Sequence, residues 1–215
     1  MINGVNEVLR VQSFVLGIAQ SNSYLITDES TQEALLIDAG DGIEAYFPQL
    51  TAFKLQMVLL THAHFDHIAG LRALKEAFDV PVYIHRTEAD WLVDPKKNGS
   101  GWWPGFSPVI APQPDGMIDE TSMFHFAGQK IHILHVPGHS PGSLAYIIDG
   151  LAFVGDTLFN GSIGRTDLPG GDPVVLERSI REKLYCLPDD TILYPGHGAQ
   201  TTIGWEKAHN AYVRG

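Results

Sequence analysis

The chain has 215 residues, of which 44% are hydrophobic and 18% are charged, a composition that excludes an intrinsically disordered polypeptide and predicts a packed core. Its formal net charge is -11 and no segment concentrates Lys and Arg, so we expect no nucleic-acid partner, because the phosphate backbone would be repelled. No stretch approaches the roughly 18 uninterrupted apolar residues of a membrane span, so we expect no membrane partner.

Short apolar runs bounded by Gly, Pro and Asp predict nine strands. In chain order they are Leu9–Leu16, Ser23–Thr27, Glu33–Asp38, Met57–Thr61, Pro81–Ile84, Lys130–Val136, Leu144–Asp149, Ala152–Gly155 and Thr191–Tyr194. Helical patterns cover Gly42–Thr51, His67–Phe78, Thr87–Leu92, Val174–Leu187 and Trp205–Tyr212. Strand runs come first, and strands and helices then alternate, which predicts sheet layers covered by helices. A chain of this length suits one domain over residues 1–215.

The segment 94–116 is rich in Pro and Gly and has no periodic pattern. Loops of this length inside a compact domain are usually functional lids or mobile segments. The segment carries Trp102, Trp103 and Phe106, which either form an apolar wall over a substrate or pin the loop to the domain.

Three histidines and one aspartate fall within six positions of the segment THAHFDHIAG. Residues two apart in an extended segment point the same way, so His62 and His64 can present imidazoles to one metal ion. Asp66 stands where a helix N-cap is expected and His67 begins the helix, so these side chains can reach a second ion beside the first. Three neutral imidazoles and a carboxylate crowded together have little use without a cation.

Three later strands each end directly in a residue that can bind metal. KIHILHV runs into PGHSPGS with His139, LAFV runs into GDTLF with Asp156, and TILY runs into PGHG with His197. Strand ends that converge on one edge of a sheet make a natural site. The predicted metal ligands are therefore His62, His64, Asp66, His67, His139, Asp156 and His197.

The other histidines and one further aspartate have a structural interpretation. Histidines that stand alone are usually hydrogen-bonded structural or surface residues. Those outside the motifs are His85, His125, His132, His135 and His209. Asp38, in LLIDAG, is either a partner that orients a ligand histidine or a residue that caps a turn.

The order THAHFDHIAG, PGHSPGS, GDTLF, GRTDLPGGD and YPGHG resembles the metallo-β-lactamase superfamily, and within it the short glyoxalase II-like, hydroxyacylglutathione hydrolase-like branch. The resemblance implies an α+β fold, an αββα sandwich of two mixed β-sheets flanked by helices, with the metals at one edge between the sheets. It also implies the distribution of ligands. One ion would be held by His62, His64 and His139, the other by Asp66, His67 and His197, with Asp156 bridging.

These ligand types suit hydrolysis. Two divalent ions about 3.5 to 4 Å apart can share a water and lower its pKa toward 7, so we expect attack by a metal-bound hydroxide. Asp66 is the candidate catalytic residue, because it is placed to orient the hydroxide and handle its proton. Imidazole and carboxylate ligands without thiolate favour zinc, and iron or manganese would also be accommodated.

A thiolate leaving group needs little protonation, so a small acyl thioester suits this chemistry, and S-D-lactoylglutathione is the candidate substrate. Full-length glyoxalase II enzymes carry a helical C-terminal domain that supplies much of the glutathione site, whereas 18 residues follow His197 here, which leaves glutathione recognition open. Arg165, in GSIGRTD, matches a basic position that contacts the substrate in the larger enzymes. Its alternative is a surface ion pair with Asp167 or Asp172.

Two other functions remain open. An iron-dependent persulfide dioxygenase resembles this chain in HxHxDH and GRTD but uses a single iron held by two histidines and an aspartate. A metal-loaded binding module without turnover is disfavoured by Asp66. Other branches fit less well, because a β-lactamase would normally be exported, an RNA-processing member would need a basic surface, and a flavodiiron protein has a glutamate where His64 stands.

Cysteine content and the N-terminal sequence bear on the compartment. Cys186 has no second cysteine with which to form an internal disulfide. The N-terminal sequence lacks a basic segment followed by a long apolar run, the pattern of a secretory signal. We therefore expect a cytoplasmic protein, and the sequence leaves its oligomeric state open.

Overall fold

The computed structural model describes residues 9–102, 105 and 107–215. Its first sheet has six strands in chain order. These are β1 (Arg10–Leu16), β2 (Ser21–Asp28), β3 (Glu33–Ile37), β4 (Lys54–Leu59), β5 (Val82–His85) and β6 (Gly116–Ile118). The first three strands pair antiparallel and β3 to β6 pair parallel, so the sheet is mixed.

The second sheet also has six strands, and a small hairpin lies beside it. The strands are β7 (Phe124–Phe126), β8 (Gln129–His135), β9 (Leu144–Ile148), β10 (Leu151–Gly155), the hairpin strands β11 (Leu158–Phe159) and β12 (Ser162–Ile163), β13 (Ile192–Pro195) and β14 (Thr201–Thr202). The spatial order of the sheet is β14-β13-β10-β9-β8-β7. Only the β10–β13 pair of this sheet is parallel among the described residues.

The helices are short and lie on the outer faces of the two sheets. The α-helices are α1 (Phe47–Thr51), α2 (Phe65–Ile68), α3 (Leu71–Ala77), α4 (Pro173–Glu182) and α5 (Ile203–His209). Four 3₁₀ helices cover Ile43–Tyr46, Arg86–Val93, Ser100–Trp102 and Leu184–Cys186 among the described residues. In the described part of the chain, no helix has both the length and the apolar character needed to cross a bilayer.

The alternation of side chains along β3 shows how the layers form. Successive side chains of a strand point to opposite faces of its sheet. Leu35 and Ile37 belong to the cluster between the two sheets, together with Ile133 and Phe153 from the second sheet. Leu36 belongs to a separate cluster that includes the α3 side chains. A third cluster joins the outer face of the second sheet to α4 and α5. The αββα sandwich of two mixed sheets is therefore confirmed.

All nine predicted strands are present, with bounds that differ by up to three residues. The helix predicted over His67–Phe78 is wrong in one respect, since it divides into α2 and α3 at Gly70. A Cβ atom on Gly70 would lie 2.2 Å from the carbonyl oxygen of Gly40, so the chain needs glycine here. The predicted N-cap is also wrong, because His64 occupies that position and Asp66 lies inside the first turn of α2.

Three other predicted helices differ in type or extent. The helix predicted over Gly42–Thr51 begins as a 3₁₀ turn and continues as α1. The helix over Thr87–Leu92 is 3₁₀ throughout, and that over Val174–Leu187 ends as α4 at Glu182 before a further 3₁₀ turn. The hydrophobic periodicity therefore located these segments correctly but did not define their helix type.

Candidate metal centre

The seven predicted ligands come together at one edge of the sandwich. Four of them, from His62 to His67, lie on the segment that follows β4 of the first sheet. His139, Asp156 and His197 follow β8, β10 and β13 of the second sheet. Their donor atoms form overlapping groups, and within each group the atoms lie within 4.8 Å of one another. The site therefore lies between the two sheets and draws on both.

The first donor group consists of three buried imidazoles, from His62, His64 and His139. The Nε2 atoms of His62 and His139 are 3.2 Å apart, and Nδ1 of His64 is 2.8 Å from Nε2 of His139. Three nitrogen atoms from two sheets thus converge on one point, and we call this set the three-histidine group.

The second donor group consists of Asp66, His67 and His197. An Asp66 oxygen lies 3.1 Å from Nε2 of His197 and 3.6 Å from Nε2 of His67. Asp156 lies between the two groups, because one of its oxygens is 3.4 Å from Nε2 of His67 and the other is 3.6 Å from Nε2 of His139. A carboxylate has two oxygens and can therefore contact both groups.

Hydrogen bonds behind the site fix which nitrogen of three rings faces inward. Nδ1 of His67 lies 2.8 Å from a carboxylate oxygen of Asp38, and Nδ1 of His139 lies 2.8 Å from the carbonyl oxygen of Arg165. Since carboxylate and carbonyl oxygens only accept, both Nδ1 atoms carry a proton, and Nε2 is the atom through which each ring would bind a metal ion.

His62 is held in the same tautomer by a relay. The Thr61 hydroxyl donates to Asp38 at 2.8 Å and lies 3.0 Å from Nδ1 of His62. Because its proton is given to Asp38, the hydroxyl accepts from Nδ1, and Nε2 of His62 is left free to bind. The contact of the Asp38 carboxylate with a predicted ligand histidine, His67, fits the first of its two interpretations, that of a partner that orients a ligand.

Burial and local charge set the protonation states of the metal-free site. Burial lowers the pKa of His62 and His139, and it lowers the pKa of His64 to about 3. These rings are therefore neutral at pH 7 and can donate lone pairs. Burial raises the pKa of Asp156, but the neighbouring His67 and His197 outweigh burial and hold this pKa well below its ordinary value. The carboxylate is ionised. Burial lowers the pKa of His67, but Asp66, Asp156 and Asp38 outweigh burial and raise this pKa well above its ordinary value, so a metal ion would have to displace a proton from His67.

Two buried polar atoms at the centre of the candidate site indicate whether a cation would fit there. Nε2 of His67 and Oδ1 of Asp156 are buried, and neither has a hydrogen-bond partner among the residues that the structure describes. Buried polar groups in native proteins nearly always have a partner. An imidazole nitrogen and an ionised oxygen that face each other at 3.4 Å are the arrangement expected of two ligands of one divalent cation. The donor set therefore fits metal ions.

A cavity of about 230 Å³ opens onto the donor groups. Its apolar lining comes from Ala19, Phe65 and Leu168, and Asn98 and Gly99 of the predicted 94–116 loop also line it. Asn98 is buried, and its side-chain amide donates to the carbonyl oxygens of Trp91 and Val109. The loop therefore reaches the site through Asn98 and Gly99, which the sequence analysis did not identify.

Of the three aromatic residues of the 94–116 loop, the structure describes Trp102. Trp102 is 54% exposed, its indole N–H donates to the carbonyl oxygen of Lys96, and it does not line the cavity. Trp103 and Phe106 lie outside the described residues. Arg165 does line the cavity, and its guanidinium also pairs with both oxygens of Asp167 at 2.7 and 2.6 Å.

The sequence of residues 16–197, which includes every candidate ligand, matches the model of the metallo-β-lactamase superfamily. The chain belongs to the metallo-β-lactamase superfamily.

Curated relatives within the superfamily match nearly the whole chain. "Probable metallo-hydrolase YqgX" of Bacillus subtilis is 40% identical over 206 residues, which cover 93% of this chain and 95% of the relative. "Hydroxyacylglutathione hydrolase GloC" of Haemophilus influenzae is 36% identical over 212 residues, which cover 96% and 97%. These relatives support the glyoxalase II-like branch.

Solved structures of the superfamily superpose over most of their length. A structure described as the BLEG-1 B3 metallo-β-lactamase has a TM-score of 0.91 at 39% identity and covers 96% of this chain and 100% of that one. TTHA1623 in a di-iron-bound form has a TM-score of 0.83 at 37% identity, and the match covers 94% of this chain and 100% of that one. ETHE1 from Myxococcus xanthus has a TM-score of 0.75 at 28% identity, and the match covers 95% of this chain and 84% of that one.

A further group of possible ligands, His85, Glu120 and His135, lies away from the superfamily site. The two imidazole planes are stacked at 4.4 Å with an angle of 9° between them. Nδ1 of His85 accepts from the backbone N–H of Thr87, and Nε2 of His135 donates to the carbonyl oxygen of Pro141. Because lone pairs lie in the ring planes, stacked parallel rings do not point at one ion. Both histidines therefore act as the structural residues that the sequence predicts.

Proposed function

We propose that this protein is a dinuclear metal-dependent hydrolase of small acyl thioesters, with S-D-lactoylglutathione as the candidate substrate. The observation that carries the proposal is the position of Asp156, whose two oxygens lie within 3.6 Å of histidine nitrogens from both donor groups. Similarity to the hydroxyacylglutathione hydrolase GloC of Haemophilus influenzae supports the substrate class.

The proposed cation sites follow from the two donor groups. One divalent cation would be bound by the three-histidine group and one by Asp66, His67 and His197, with Asp156 shared. Zinc is the favoured ion. Iron is the second candidate, because TTHA1623, which is 37% identical, has been solved in a di-iron-bound form. Bound there, two divalent cations would activate a water at neutral pH and polarise a substrate carbonyl.

The chain's own residues would orient the substrate and move protons. Asp66 lines the cavity, and its carboxylate is placed to orient the attacking water and to take up its proton. Phe65 and Leu168 offer an apolar surface for the acyl group, and Arg165 stands at the cavity wall where a carboxylate of the departing thiol could bind. A thiolate leaves without protonation by the protein, so no further acid is required.

The test is a hydrolysis assay in which the wild-type and variant proteins are matched for metal content. Zinc-loaded enzyme is given S-D-lactoylglutathione and an acyl thioester of a thiol other than glutathione, and the release of free thiol is followed. We expect turnover and about two metal ions per chain. Asp66→Asn should reduce kcat at least 100-fold, whereas Asp190→Asn, which changes an exposed carboxylate, should not.

The persulfide dioxygenase is the second candidate, because the similarity to ETHE1 of Myxococcus xanthus at 28% identity fits it. The same preparation distinguishes the two functions. One iron per chain with oxygen uptake on glutathione persulfide, and no thioester cleavage, would support the dioxygenase. Because BLEG-1 is described as a β-lactamase, a chromogenic β-lactam is a third substrate, and cleavage of it without thioester turnover would contradict our proposal.

A further inference from the structure

Glu88 is a fully buried carboxylate in the 3₁₀ helix Arg86–Val93, and the metal site does not contain it. Its Oε2 accepts the backbone N–H of Ala63 at 2.7 Å, and its Oε1 accepts the backbone N–H of Gly142 at 2.6 Å. The two oxygens thus engage two backbone groups that are far apart in sequence. Both bonds are charge-assisted when the carboxylate is ionised, which makes them stronger than ordinary neutral hydrogen bonds.

The two backbone groups belong to the segments that carry the three-histidine group. Ala63 stands between His62 and His64, on the segment that follows β4 of the first sheet. Gly142 stands three residues after His139, on the segment that follows β8 of the second sheet. A single side chain therefore ties together the two loops whose separation sets the distances among the three histidine nitrogens.

The fit around this carboxylate is close. A Cβ atom on Gly142 would lie 2.9 Å from Cγ of Glu88 and 3.0 Å from Oε1, so glycine is needed for the backbone to approach. Burial raises the pKa of Glu88 above its ordinary value, and hydrogen bonds from Ser140, Gly142 and Ala63 offset this rise only in part. None of these three partners is basic, and burying a carboxylate without a basic partner is costly. Such a group is expected to be retained for the position that it enforces.

We infer that Glu88 is a positioning residue that sets the spacing of the three-histidine group by holding the β4 and β8 loops together. The inference rests on the proposed dinuclear function, since it concerns the cation that this group would bind. Hydrogen-bond partners that fix metal ligands typically change metal affinity about 10- to 100-fold when they are removed. Glu88 acts on the backbone that carries the three-histidine group. Its removal should therefore weaken the binding of the cation at that group and leave the other cation bound.

The test is zinc retention by the Glu88→Gln variant. The amide keeps the volume, but its NH₂ group must face one of the two backbone N–H groups, so one bond is lost. Zinc-reconstituted protein is titrated with EDTA and the zinc that remains is counted. We expect wild type to hold about two zinc ions, and the variant to lose one of them at an EDTA concentration at least 10-fold lower. Superimposable titration curves would overturn the inference.

A second variant separates spacing from charge and covers the case in which Glu88→Gln does not fold. Glu88→Asp keeps the negative charge but is too short to reach both Ala63 and Gly142. If spacing matters, this variant also loses one zinc ion early. If it retains both zinc ions as wild type does, the two-loop contact is not what holds the cation, and the inference fails.

Glu206→Gln is the matched control for damage to a buried glutamate. Glu206 is also fully buried and accepts bonds from Thr201, Asn210 and Gly161, all outside the three-histidine group. We expect its Tm to fall about as far as that of Glu88→Gln, while it keeps both zinc ions. A wild-type protein that binds fewer than two zinc ions would contradict the proposed dinuclear function instead, so the two failures are distinguishable.

Discussion

Asp38 connects two of the candidate ligands to one carboxylate. It accepts the backbone N–H and the hydroxyl of Thr61, and it accepts Nδ1–H of His67. Through the Thr61 hydroxyl it also fixes the tautomer of His62. One buried side chain thus fixes the Nδ1 proton of one ring in each donor group, so that Nε2 faces the site. Its backbone has a φ of 57°, a conformation in which Asp and Asn are the most favoured residues after glycine.

Asp38→Asn should therefore weaken metal binding without disturbing the backbone. Asn tolerates the positive φ, but its NH₂ group cannot accept from His67, so the ring would be driven to the tautomer with a protonated Nε2. We expect both zinc ions to bind about 10- to 100-fold more weakly, measured by competition with a chromogenic chelator. Unchanged affinity for both ions would mean that the Asp38 bonds do not control these tautomers.

The candidate ligands could be predicted from the sequence, whereas Glu88 and Asn98 could not, because their roles depend on contacts with residues elsewhere in the chain. The first four candidate ligands fall within six positions, so their pattern is local and readable. Glu88 bonds Ala63 and Gly142 across 25 and 54 positions, and nothing in TEADWL marks it as different from a surface acid. Asn98 likewise acts through Trp91 and Val109, within a loop that has no periodic pattern.

At the level of elements, the apolar runs predicted every strand of four residues or more. β6 and β7 have three residues, and β11, β12 and β14 have two, so they are too short to show an alternation. The division between α2 and α3 was unpredictable because it depends on the approach of Gly70 to Gly40, a contact between separate elements. Tertiary packing, rather than local propensity, determines these features.

The parallel strands β10 and β13 bring two predicted ligands side by side. Gly155 pairs with Pro195 after a shift in register, and the N–H of Gly196 donates to the carbonyl oxygen of Gly155 at 2.8 Å. Asp156 and His197 follow directly. A Cβ atom on Gly196 would lie 2.0 Å from Oδ1 of Asp156, so the strand ends are close enough to exclude any side chain.

Gly196→Ala should for this reason displace the carboxylate shared by the two donor groups. We expect at least a 100-fold loss of thioester kcat/KM and a loss of bound zinc, measured on the same preparation. The control is Gly198→Ala, where a Cβ atom meets nothing within 4 Å but φ is 76°. That variant should lose about 1 kcal/mol of stability through backbone strain and keep its zinc. Equal zinc loss in both variants would contradict the steric explanation.

At the scale of the whole molecule, the candidate metal centre lies between the two halves of the sandwich. His62, His64, Asp66 and His67 come from the first sheet, and His139, Asp156 and His197 come from the second. Cations bound there would stabilise the folded state, because the unfolded chain does not bring these ligands together. The sequence placed several candidate ligands at strand ends, and the structure shows that the set approaches from both sheets, as the resemblance implies.

Proton binding should compete with this stabilisation in a defined pH range. Burial lowers the pKa of His197, but its contacts with Asp156 and Asp66 outweigh burial and raise the pKa to about 9 in the metal-free protein. A folded-state pKa above the unfolded value of 6.5 stabilises the metal-free fold fully below pH 6.5, and this contribution is lost as the pH rises through about 9. Since zinc must displace that proton, its affinity should rise over the same range, by about tenfold per pH unit for each proton displaced.

Calorimetry of the metal-free and zinc-loaded forms from pH 6.5 to 9 tests this coupling. The Tm of the metal-free protein should fall across the range, and the increase in Tm on adding zinc should grow, because the proton that opposes zinc is leaving. His197→Gln should reduce the fall in the metal-free Tm, leaving the part that His67 contributes, whereas His125→Gln, which changes an exposed histidine, should leave the fall as in wild type. A metal-free Tm that rises between pH 6.5 and 9 would have the opposite sign and would show that His197 is neutral before the metal binds.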